Sequence, residues 1–106
     1  MRATFELMEK DLQKVLQSCK ISQEDIMGSC RVRRLCLVRS ALANVWRKKY
    51  MRVSQMSIAV MLNRNRSTVS FYCGQHKDWY RFDPTYRNMY DKIKQLIGGG
   101  EDENTY

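Results

Sequence analysis

The sequence predicts an all-α fold, a single compact bundle of about six helices, and three observations carry that expectation. Apolar residues recur at steps of three and four along most of the chain, with no strand-like alternation and no internal repeat. Helix start and stop residues punctuate these runs at short intervals: Ser22, Gly28, Ser54, Asn63, Asp83-Pro84 and Gly98-Gly99-Gly100. The length of 106 residues suits one modest core, read as one domain over 1–100 followed by an acidic, disordered tail over 101–106.

The elements follow in order. Residues Thr4 to Cys19 read as an amphipathic helix with Phe5, Met8, Leu12, Val15 and Cys19 on its apolar face. A short second helix has Ser22 as N-cap, Glu24 and Asp25 at its positive end, and Gly28 as its close. The third is expected from about Ser29 to Tyr50, burying Leu35, Val38, Leu42, Val45 and Trp46, with Ala41 admitting a close neighbour. Ser54 caps a fourth helix carrying Met56, Ile58, Ala59, Met61 and Leu62, and Asn63 suits the left-handed residue that ends it. Ser67 is read as the cap of a fifth helix reaching about Trp79, with Val69, Tyr72, Cys73 and His76 inward and Thr68, Ser70, Phe71, Gly74 and Gln75 outward. Asp83 caps and Pro84 opens the sixth, whose stripe is Tyr86, Met89, Tyr90, Ile93, Leu96 and Ile97.

Charge narrows the class of partner. The net charge is +8, and its distribution is uneven. From Ile26 to Lys77 there is no Asp or Glu but 11 Lys or Arg, whereas the rest of the chain carries more acid than base. A carboxylate would repel phosphate, so a 52-residue stretch without one fits a polyanion partner better than an ordinary solvated face. Arg31, Arg33 and Arg34 crowd the start of the third helix, against the positive end of its dipole, a placement that calls for an anion or another use.

Two short helices joined by a turn of three or four residues, here over about 54–79, form a helix-turn-helix pattern. A helix entering the major groove needs short polar or donor-rich side chains at its start and basic residues within reach of flanking phosphates. Asn65, Arg66, Ser67, Thr68 and Phe71 are accordingly the candidates for base contact on this helix, and Arg31 for the minor groove. Arg33, Arg34, Arg47, Lys48, Arg52, Ser54 and Arg64 are the candidates for phosphate contact.

The segment Ile58 to Val69 resembles the C-terminal DNA-binding domain (domain IV) of the bacterial replication initiator DnaA, a Trp repressor-like helix-turn-helix. That family's signature runs roughly I-G-x-x-[LF]-G-[KR]-[DN]-H-[ST]-T-V. This chain keeps Ile58, Leu62, Arg64, Asn65, Ser67, Thr68 and Val69, and departs with Ala59 and Asn63 at the glycines and Arg66 at the histidine. The likeness extends from about Ile21 to Trp79. It implies sequence-specific binding of double-stranded DNA, with the fifth helix in the major groove and Arg31 matching the family's minor-groove arginine. It further implies a role in replication or transcription control. No P-loop accompanies the segment, so the resemblance implies a stand-alone module, as in a phage or other mobile element.

Other classes fit less well. One histidine and a middle without carboxylates do not supply an acid, a base and a nucleophile, so no enzyme and no small-molecule substrate are expected. Cys73-Gly74-Gln75-His76 would need two further ligands to hold zinc, so no metal or other cofactor is expected. The four cysteines read as reduced thiols of a cytoplasmic protein, and no segment has the apolar length of a membrane span. A monomer is expected, because every apolar stripe can be spent within one bundle, although Trp repressor relatives dimerise. The alternative function is a protein-interaction module docking on an acidic or initiator partner without touching DNA.

Overall fold

A computed structural model of the chain describes residues 2–29, 32–50 and 53–97. They form six helices: α1 (Arg2–Cys19), α2 (Gln23–Met27), α3 (Arg33–Lys49), α4 (Gln55–Leu62), α5 (Arg66–Phe82) and α6 (Pro84–Ile97). Among the described residues no strand forms, and no helix is long and apolar enough to cross a membrane. The fold is an all-α bundle, as the periodicity predicts.

Local chemistry explains most of the boundaries. The Ser22 hydroxyl accepts from the Asp25 N–H and the Ser54 hydroxyl from the Ser57 N–H, so α2 and α4 begin where a side chain satisfies an orphan donor. Asp83 serves two helices. Its N–H closes α5 on the Trp79 carbonyl, and its carboxylate accepts from the Thr85 and Tyr86 N–H groups to open α6. Asn63 ends α4 with φ 54° and ψ 49°, a left-handed residue without glycine.

Three expectations are corrected. First, α3 begins at Arg33, not near Ser29, so only Arg33 and Arg34 of the three arginines stand in its first turn. Arg31 and Arg52, like the tail over 101–106, lie outside the described residues. Second, Gly28 closes α2 in an extended conformation, φ −82° and ψ −173°, not a left-handed one. Its glycine answers to space instead: a Cβ there would stand 2.6 Å from the Glu24 carbonyl oxygen. Third, α5 begins at Arg66 with Asn65 as N-cap, and it reaches Phe82. The Asn65 carbonyl accepts from both the Thr68 and Val69 N–H groups, which starts the helix two residues before a Ser67 cap would.

The core is organised on α3. From Leu37 to Trp46 every residue is buried, Arg39, Ser40 and Asn44 included, because neighbours cover this helix on all sides. α6 packs along it in the same direction: Arg33 meets Asp83 at one end, Asn44 meets Tyr86, and Lys49 donates to the Ile97 carbonyl at the other. α1 adds Met8, Leu12, Val15 and Cys19, while Phe5 is only partly covered. Three of the buried polar side chains, Arg39, Asn44 and Asp11, find partners on other elements. Arg39 donates to the carbonyls of Ile26 (2.8 Å), Asp25 (2.9 Å) and Gly28 (3.3 Å), so a guanidinium terminates α2. Asn44 donates to the Ser40 and Tyr72 carbonyls and to the Tyr86 hydroxyl, tying α3 to α5 and α6. Asp11, 4% exposed, accepts from Lys49 at 3.0 Å and from the Tyr50 hydroxyl at 2.7 Å.

Candidate nucleic-acid interface

The α4–α5 corner is built by a left-handed turn and held from below. After Asn63 the chain needs only Arg64 and Asn65 before α5 starts, and the Arg64 N–H returns to the Ala59 carbonyl at 2.8 Å. The Asn63 side chain donates to the Met27 carbonyl at 2.8 Å, and the Arg64 guanidinium donates to the carbonyls of Gly28 and Asn63. The turn is thereby fastened to the end of α2. α4 and α5 pack on each other, with Ile58, Ala59 and Leu62 of α4 and Val69 and Tyr72 of α5 buried.

This arrangement turns the start of α5 outward. Asn65, Arg66, Ser67, Ser70, Phe71 and Gly74 are exposed, and Thr68 is partly covered. The helix start is chemically unusual within this molecule. α2, α4 and α6 are opened by Ser22, Ser54 and Asp83, whereas Asn65 makes no side-chain cap bond and the first turn of α5 holds no acid. Its first residue is Arg66, a cation at the positive end of the helix dipole, an unfavourable placement for an isolated protein. α3 repeats the arrangement: Val32 cannot cap, and Arg33 and Arg34 open the helix without an acid.

The remaining candidates divide. Arg64 lies partly covered with its guanidinium spent on carbonyls, and Ser54 is spent as a cap. Arg34 donates to the Cys19 carbonyl at the end of α1. Arg33, 70% exposed, pairs with Asp83, which lies one residue past α5. At 1.5 Å per residue that places its guanidinium roughly 25 Å from Arg66, so the two do not share an end of α5. Arg47 and Lys48 are exposed at the end of α3 and line a hollow of about 230 Å³ with Asn44, Cys73 and His76, beside the middle of α5. Arg39, one of the cations of the acid-free stretch, is internal and unavailable to a partner.

Behind this surface His76 is packed among the rings of Tyr80, Tyr86 and Tyr90, with Nδ1 2.7 Å from the Tyr86 hydroxyl. Burial, then the charges of Lys48 and Lys94, hold its pKa down at about 4. Burial pushes the Tyr86 hydroxyl up to about 12. Both groups stay neutral near pH 7 and contribute packing. Among the described residues no group of three His, Cys, Asp or Glu is placed to hold a metal ion. Sequence reasoning did not find the structural duties of Asp11, Asn44 and Arg39. A lone Asn between Ala43 and Val45 in an apolar stripe was the available signal for one of them. Comparison with known protein families, with curated proteins and with solved structures returns no match.

Proposed function

We propose that this protein binds double-stranded DNA sequence-specifically, presenting the start of α5 to the major groove as the second helix of a helix-turn-helix. The observation that carries this reading is the first turn of α5: exposed, without a capping side chain or an acid, and opened by Arg66. The Asn65 carbonyl takes the Thr68 and Val69 N–H groups, and the N–H groups at the very start of a helix, here those of Arg66 and Ser67, have no intrahelical acceptor and suit a phosphate oxygen. Asn65, Ser67 and Thr68 stand beside them with side chains short enough for base edges. Arg47 and Lys48 supply positive charge next to the middle of α5, and Arg31 follows Gly28 by three residues as the arm for the minor groove.

The likeness to the DnaA C-terminal domain supports the same reading. The family's glycine after the first helix falls on Asn63, whose left-handed backbone is the conformation a glycine there would serve. A role in replication or transcription control, in a phage or other mobile element, is the corresponding proposal for the biology.

The test is selection of bound sequences from a random duplex pool, read at two salt concentrations. The expected result is an enriched sequence whose affinity falls with salt, at a log–log slope of roughly −0.9 per neutralised phosphate. Arg66→Ala and Thr68→Ala should relax preference at one or two base pairs, while Lys48→Ala should weaken all duplexes alike. No retention of any duplex at low salt would overturn the proposal.

A further inference from the structure

Phe71 stands out on the outer face of α5. It is 53% exposed and lies one helical turn after Ser67, on the same side of the helix. Its ring is not loose: it meets the Trp79 ring edge-on at 5.9 Å and the Tyr72 ring at 6.5 Å. Val69 and Tyr72 already supply the buried face of α5, so packing does not require a phenylalanine half in water at this point. Around it the surface is polar or small, with Ser67, Ser70 and Gly74 all exposed, and a Cβ at Gly74 would meet nothing within 4 Å. A flat partner can therefore come close to the helix on either side of the ring.

We infer that Phe71 reads the 5-methyl group of a thymine in the bound duplex. This rests on the DNA-binding reading above and specifies the base chemistry of that same helix face. The major groove displays hydrogen-bond donors and acceptors almost everywhere, and the thymine methyl is its one apolar feature. An aromatic ring set against a cytosine, guanine or adenine edge would strip water from polar groups and return no hydrogen bond. Against thymine the same ring removes apolar surface from water on both partners. The basic, acid-free start of α5 brings the groove to this face, and the ring, held by Trp79, needs little ordering on contact.

The experiment takes a duplex recovered from the selection and replaces each thymine in turn by deoxyuridine, which removes the methyl and keeps the base-pairing edge. One position should weaken binding by roughly threefold to fivefold, the loss of one buried methyl. In Phe71→Ala, with helix content verified by circular dichroism, that ratio should fall to unity. Phe71→Leu should retain part of it, as an apolar side chain of similar reach. Phe82→Ala, the removal of a ring 73% exposed at the far end of α5, should leave it unchanged. Equal binding of every deoxyuridine duplex, or an unchanged ratio in Phe71→Ala, overturns the inference while DNA binding itself stands. Failure to hold any duplex removes the DNA-binding reading, and this inference with it.

Discussion

Acidification from pH 7.5 to 5 should destabilise the protein through His76. His76 Nδ1 and the Tyr86 hydroxyl share a hydrogen bond at 2.7 Å, and the same hydroxyl accepts from Asn44 at 3.2 Å, so the imidazole is held against the packed core. With the folded pKa near 4 and an unfolded value near 6.5, the folded state resists a proton that the unfolded chain accepts. The stabilisation is thus complete above pH 6.5 and is lost progressively as the pH falls toward 4. Linkage over this window gives about 2 kcal/mol at pH 5, and the partial exposure of the ring brings the expected loss to about 1 kcal/mol. For a domain of this size that corresponds to a fall in Tm of roughly 4–8 °C. Urea unfolding of the wild type and of His76→Gln at pH 7.5, 6 and 5 isolates the effect, because most carboxylates remain ionised at pH 5. The wild type should lose about 1 kcal/mol more than the variant across that range. Equal losses in the two proteins would refute the assignment of the proton uptake to His76.

The other predictions concern stability and are read by thermal or urea unfolding. Asp11→Ala should cost about 2–4 kcal/mol, because it leaves the Lys49 ammonium and the Tyr50 hydroxyl without their shared acceptor. Asp11→Leu combined with Lys49→Met should recover most of that loss; no recovery would show that the carboxylate has a further duty. Arg39→Lys should be nearly as damaging as Arg39→Ala, since an ammonium cannot reproduce a planar fork that serves three carbonyls. The two described helix-end and mid-helix glycines should respond oppositely. Gly28→Ala should lose about 1–3 kcal/mol to the clash with the Glu24 carbonyl, and Gly74→Ala should gain about 1 kcal/mol of helix propensity in open space.

What could be read from the chain, and what could not, follows the range of each interaction. The caps at Ser22, Ser54 and Asp83 act within three residues of themselves, so local sequence was enough to place them. The stripe of α6 was visible for the same reason: one face is covered and the other is wet, so periodicity survives. On α3 the stripe Leu35, Val38, Leu42, Val45 and Trp46 is buried as read, but from Leu37 to Trp46 the other faces are covered too, and the burial of Arg39 and Asn44 was not visible. What makes those two residues tolerable lies on other elements, 11 to 42 positions away in the chain. The outward Ser70, Phe71 and Gly74 could be read from spacing alone, whereas Thr68 and Gln75, read the same way, are partly covered. The inward turn of Arg64 could not, because its acceptor at Gly28 is 36 residues distant. The early start of α5 escaped a side-chain argument because a backbone carbonyl, that of Asn65, does the capping.

The all-round burial of α3 has a consequence for how such a protein can change over generations. Its interior is committed from Leu37 to Trp46, and the α4–α5 corner is fastened to α2 through Asn63 and Arg64. By contrast Ser67 and Ser70 are exposed on the outer face of α5, and substitutions at such surface positions usually shift stability by no more than about 0.5 kcal/mol. Drift can therefore rewrite the outer face of α5 at almost no risk to folding. A lineage built on this chassis would be free to vary that face while its core stood still.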